Sequence, residues 1–193
     1  MPNCFPGLGG GLKFFSLRKR HTDREIVGSS GNPSQATDCG IQVNDAVIEA
    51  FNSMKIHNKK TVERTKFLFL TVSKDDHFLM LNKEPNCVKQ STDDDYLKFL
   101  SYLKPDCCCI LIYDVCYETA NSIIKDDLVA ICWCPPDAPP KQKLQYASAS
   151  TILSKKLQGF KASLQLNSLD DISRSVLAEK LGKDVVKIEG VPV

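Results

Sequence analysis

Residues 133–157 read WCPPDAPPKQKLQYASASTILSKKL. An apolar run ends there at four prolines, and a stretch without a breaker follows until Gly159. Pro139 and Pro140 suit a first helical turn, because the amides they lack have no partner there in any helix. The spacing therefore predicts a long helix from Pro140 onward. Leu144, Ala147, Ile152, Leu153 and Leu157 form its apolar stripe, and Lys141, Lys143, Tyr146, Lys155 and Lys156 are left to solvent or a partner.

Working outward, Cys109 to Tyr117 and Leu128 to Cys134 are unbroken apolar runs, as strands covered on both faces require. Phe160, Ala162, Leu164 and Leu166 alternate with polar residues, a third strand. Phe67 to Val72 and Phe78 to Leu81 flank Lys74-Asp75-Asp76 as a hairpin. Asn44 is placed to cap a helix with Val47, Ile48, Phe51 and Met54 on one face. Asp93-Asp94-Asp95 opens another that carries Leu97, Leu100 and Leu103, and Asp170 to Leu181 is a last helix stopped by Gly182. Strands with helices before, between and after them give an α/β fold, a central mixed sheet sandwiched by helices.

Residues 1–37 carry glycines, prolines and serines with no amphipathic period, so they are expected to be a disordered extension. Arg18-Lys19-Arg20 is a short basic cluster of the kind that nuclear import uses, expected here to be solvated. A formal net charge of +2 supplies no field demanding nucleic acid. The first twenty residues lack the apolar core of a secretion signal, and the compartment is expected to be reducing, so the nine cysteines are expected to pack as small hydrophobes. The competing chemistry is sulfur. If the two long strands are antiparallel neighbours, Cys107 and Cys109 meet Cys132 and Cys134, a thiol cluster that could oxidise or hold zinc, although strand-borne C-x-C pairs lack the knuckle geometry of a tetrahedral site. No phosphate-binding glycine loop, nucleophile elbow or H-E-x-x-H is present, and His21, His57 and His77 are scattered, so neither an enzyme nor a cofactor or metal site is expected.

Trp133, Pro135, Ala138, Pro139, Lys141, Lys143, Leu144, Tyr146, Ala147 and Ser148 resemble the central helix motif of the actin-depolymerising factor/cofilin family. Tyr113 to Thr119, Asp127 to Val129, Leu177 to Gly182 and Ile188 to Gly190 resemble further family segments in the same order, so the likeness covers residues 38–193. The resemblance implies a single domain that binds monomeric and filamentous actin and promotes filament depolymerisation or severing. It implies a monomer in the cytoplasm, on the actin cytoskeleton, with the basic cluster leaving a nuclear role open. The monomer-binding residues it implies are Asp38, Cys39, Gly40 and Ile41 in an amino-terminal strand, with Lys141, Lys143, Leu144, Tyr146, Ser148, Lys155 and Lys156 on the long helix. Filament contact falls to Lys125, Arg174, Lys180 and Lys183. That contact is expected to be weakened, because Ile123 and Ile124 stand where family hairpins carry charge.

Phosphoinositide headgroups are implied as weak partners, since Ser150 and Ser154 stand where lysines are common. Cys39 occupies the place of a phosphorylatable serine, and Ala162 that of a histidine linked to pH response, so both controls are expected to be absent. The alternative is an adaptor of the same fold, similar to glia maturation factor or coactosin, that engages a branching complex or filament sides.

Overall fold

The structure, a computed structural model, describes residues 40–56, 65–83 and 94–193. The expected extension, Asp38, Cys39 and Asp93 lie outside the described residues. Within them the chain runs β1 (Gln42–Val43), α1 (Asp45–Lys55), β2 (Phe67–Val72), β3 (Phe78–Leu81), α2 (Asp95–Ser101), β4 (Cys109–Thr119), β5 (Ile124–Trp133), α3 (Pro140–Lys156), β6 (Ala162–Leu166), α4 (Arg174–Leu181), β7 (Val185–Ile188) and β8 (Val191–Pro192). The strands form one mixed sheet in the order β1-β3-β2-β4-β5-β6, with β7 and β8 attached through β4. β1 on β3 and β6 on β5 are parallel, and the other pairs antiparallel. This is the α/β architecture expected from the sequence.

β4 and the Leu128–Trp133 part of β5 are covered on both faces, and their residues supply a core on either side. On one side Ile110, Ile112, Leu128 and Cys132 meet Val47, Phe51 and Met54 of α1 and Tyr146, Ala149 and Leu153 of α3. On the other, Leu111, Tyr113, Val129 and Ile131 meet Tyr96 and Phe99 of α2 and Leu177 and Leu181 of α4. Alternation along each strand makes this division, since successive side chains take opposite faces.

Several local expectations are corrected. α2 is capped by Asp94, whose carboxylate accepts from the amides of Tyr96 and Leu97, but it buries Tyr96 and Phe99 and exposes Leu97. The last helix is two pieces: a 3-10 turn at Leu169–Ile172 capped by Ser168, then α4 capped by Ser173, whose hydroxyl accepts from Val176 N. Ser173 takes an extended backbone that interrupts the periodicity. The amino-terminal strand begins at Gln42, with Gly40 in a bend at φ 69° and Ile41 buried.

The sulfur expectation fails by one residue. The register sets Ile110 opposite Cys132, so Cys108, not Cys109, falls on the side of Cys132 and Cys134. Cys109 lies opposite Trp133 on the other face, and Cys107 is exposed. Burial pushes the Cys108 thiol up to about 12 and raises that of Cys132 as well, and the Cys132 and Cys134 sulfurs lie 3.6 Å apart. Among the described residues no three His, Cys, Asp or Glu side chains are gathered as a metal site would need.

Candidate functional site

α3 is the longest helix among the described residues, and its first turn is built from proline. Pro139 takes the N-cap position at φ −56°, ψ 137° and Pro140 the first helical one, with no side-chain cap. It ends at Leu157 in extended backbone, before Gly159 turns the chain at φ 111°. A β-carbon on Gly159 would meet Lys55 Nζ at 2.9 Å, and that amine donates to Gln158 O at 2.8 Å, tying the helix end to α1.

The face turned to the sheet is Tyr146, Ala149, Leu153 and Leu157, at spacings of three, four and four. Tyr146 is therefore a strut. Its hydroxyl lies 3.2 Å from Thr71 Oγ1 and accepts from Val72 N at 3.5 Å, and burial raises its pKa. The Gln142 amide oxygen accepts from Cys108 N at 2.8 Å, fixing the first turn against the start of β4.

The opposite face carries Lys141, Leu144, Ser148, Thr151 and Lys155, at spacings of three, four, three and four. Leu144 is 70% exposed at its middle, although the sequence stripe assigns it to the core. The corrected pattern exchanges Leu144 and Tyr146, and it leaves one large apolar side chain between two lysines on an outward ridge. Lys143 and Lys156 lie on the flanks, and Lys143 bends back so that its amine donates to Pro136 O. Lys141 forms an ion pair at 3.0 Å with Asp76 in the β2–β3 turn. A shallow groove of about 390 Å³ runs between α3 and β6, lined by hydroxyls of Ser150, Thr151, Ser154 and Ser163 together with Lys155. β1 lies beside α3, and Ile41, just ahead of β1, is buried in the core that Tyr146, Ala149 and Leu153 of α3 help to form.

Of the residues expected to touch a filament, three are exposed and one, Arg174, is not free. Lys125 is exposed on β5 opposite Tyr117, and Lys180 and Lys183 are exposed at and beyond the end of α4. The β4–β5 tip exposes two large apolar side chains. Ile123 is 51% and Ile124 69% exposed, so these two do not pack against the sheet. Arg174 is engaged internally: its guanidinium pairs with Asp94, donates to Ile188 O at 2.8 Å, and lies 4.1 Å over the Tyr96 ring.

One cluster escaped sequence reasoning. Lys66 N ζ-amine and Tyr113 hydroxyl both donate to the Glu189 carboxylate, at 3.1 and 2.8 Å, and Cys116 N donates to it at 3.0 Å. Glu189 sits at φ 48° in the β7–β8 turn, so its carboxylate reaches the place where β2 and β7 meet along β4. Only the distance in sequence hid it, since Lys66 and Glu189 are 123 residues apart.

Residues 40–182 match the family described as cofilin/tropomyosin-type actin-binding protein. Among solved structures the chain is similar to a cofilin from Streptomyces griseoflavus, with 25% identity over 75% of this chain and 99% of that one and a TM-score of 0.61. It shares its fold with actin depolymerization factor 2 of Plasmodium berghei (22% identity, 74% and 96% of the two chains, TM-score 0.59). It shares it also with a coactosin from Entamoeba histolytica (18% identity, 74% and 95%, TM-score 0.55). A family match over nearly all of the described fold, with a helix of the expected length and proline entry at its centre, fixes the assignment: the chain belongs to the cofilin/tropomyosin-type actin-binding protein family.

Proposed function

We propose that this protein binds actin monomers through the outward ridge of α3 and promotes filament depolymerisation, with filament-side contact weaker than in a typical cofilin. The observation that carries the reading is Leu144, a large apolar side chain held in water between Lys141 and Lys155 on a helix whose other face is anchored in the core. A helix of this kind fits an apolar groove with an acidic rim, the leucine supplying burial and the lysines orientation and association rate. In this reading Lys143, Ser148 and Lys156 border the contact, and the stretch Asp38, Cys39, Gly40 and Ile41 contributes its amino-terminal part. Tyr146 supports it from beneath. The binding unit spans residues 38–193, with residues 1–37 as an extension outside it. The work is binding rather than bond-making, done by a monomer on the cytoplasmic actin cytoskeleton, with phosphoinositide headgroups as weak competitors for the lysines.

Weak filament contact rests on the β4–β5 tip, where Lys125 follows two exposed isoleucines, with Lys180 and Lys183 as the remaining cations. Two exposed isoleucines where a charged filament contact is expected also fit a second reading, an adaptor of the same fold that engages a branching complex or, through another surface, filament sides without severing. Titration against labelled actin monomers, co-sedimentation with filaments and direct observation of severing separate the two. Monomer binding with slow severing supports the proposal, filament or branch binding without monomer binding supports the adaptor, and binding to neither refutes both.

A further inference from the structure

The β2–β3 turn is built to present a carboxylate at the start of α3. Asp75 accepts from the Ser73 hydroxyl and from His77 N, Ser73 Oγ accepts from Phe78 N at 2.9 Å, and Asp76 N donates to Ser73 O at 3.0 Å. The turn is pinned to the sheet edge by Gln42 N, which donates to His77 O at 2.7 Å. Within this frame Asp76 adopts φ 64°, a conformation that an aspartate accepts and most residues resist. Its carboxylate meets Lys141 Nζ at 3.0 Å, although both side chains remain open to water, at 41% and 78% exposed.

We propose that Asp76 is an internal stand-in for the partner's carboxylate, occupying Lys141 in the free protein and competing with acidic groups of actin for it. The inference rests on α3 being the actin-binding face. Lys141 begins the outward ridge, so an acidic partner approaching Leu144 must displace Asp76 to pair with that amine. The displacement weakens binding, because part of what the partner gains from Lys141 is already held in the free protein. The rigid turn makes the competition effective, because Asp76 loses little freedom in holding the lysine. Asp76 thus sets the affinity of the ridge from a different segment of the chain.

The experiment is a double-mutant cycle on the full chain, read as affinity for labelled actin monomers at low and at high salt. Asparagine tolerates the same left-handed backbone, so Asp76→Asn keeps the turn. Asp76→Asn is expected to tighten binding by about two- to fivefold at low salt and by less at high salt. In a Lys141→Gln background the same change is expected to have no effect, because its target is gone. A gain of equal size in both backgrounds overturns the inference, since Asp76 would then act by charge alone. A fall in affinity on Asp76→Asn also overturns it, showing that the pair holds Lys141 in the binding pose. Absence of monomer binding by the unmodified protein would instead refute the function itself, leaving the two failures distinct.

Discussion

Replacing Leu144 by alanine separates the two roles that an apolar helix residue can have. Complete burial of a leucine is worth about 1.5–3 kcal/mol, and alanine keeps only a part of that. Because Leu144 is 70% exposed, little of this contributes to folding, and most of it is still to be gained under a partner. The expected loss on binding is therefore about 1–1.5 kcal/mol, or roughly five- to tenfold in dissociation constant. Alanine is also the better helix former, so thermal stability should be unchanged or slightly raised. The assay is titration of labelled monomeric actin with each protein, alongside a thermal melt of each. Affinity within twofold of the unmodified protein, with the melt unchanged, would show that the partner does not cover this ridge. A melting point lower by several degrees would show that Leu144 is packed, against the geometry described above.

Changing Ile123 and Ile124 together to lysine should raise severing and filament co-sedimentation by about tenfold at low salt, with monomer affinity unmoved; no gain would place filament contact elsewhere. Arg174→Ala removes an ion pair, a carbonyl partner and a stacked ring, and should cost about 1–3 kcal/mol of stability, some 3–10 °C in Tm, while monomer affinity stays constant. A large loss of filament binding at full stability would return Arg174 to the filament surface. Alkaline stability should follow the buried thiols, since burial first, then nearby charge, pushes Cys116 up to about 11 and Cys108 up to about 12 from the ordinary 9.0. Below that ordinary value both states keep the proton and the contribution is whole. Above it the unfolded chain ionises first, so the melting point should fall as pH rises from about 9 toward 12, and less steeply when both cysteines are alanine. An equally steep fall in the alanine variant would assign the loss to other groups. Depolymerising activity should be nearly flat between about pH 6 and 8 after correction for actin's own response, because Ala162 offers no titration there; a steep rise would contradict this.

The fold was legible where local rules agreed with long-range packing. Asn44 does cap α1, the Lys74-Asp75-Asp76 hairpin does close, and the β4 and β5 runs are buried on both faces. Errors came where composition cannot tell inside from outside. Leu144 is wholly apolar and Tyr146 carries a hydroxyl, so hydropathy ranks them in the wrong order for this helix, where Tyr146 is buried and Leu144 exposed. Cys108 and Cys109 differ only by register, which the pairing of β4 with β5 decides. Arg174 carried a charge that sequence reasoning left for a partner, until the Asp94 cap, eighty residues earlier, took it. The last two strands were too short to register as period-two patterns, and their pairing depends on β4, not on their own residues.

β4 lends one edge to two partners in succession, β2 along Ile110–Tyr113 and β7 along Tyr117–Thr119. The first is made by a segment synthesised before β4 and the second by one synthesised after β5, α3, β6 and α4. A growing chain on the ribosome can therefore assemble the β2–β4–β5 sheet while the amides and carbonyls of residues 117–119 still lack their strand. During that interval the open edge is a template for any extended segment of matching length, including residues 185–188 of a neighbouring nascent chain. Polysomes, which hold several copies side by side, would meet that hazard first, and strand exchange into dimers is the form that misassembly of this protein would take.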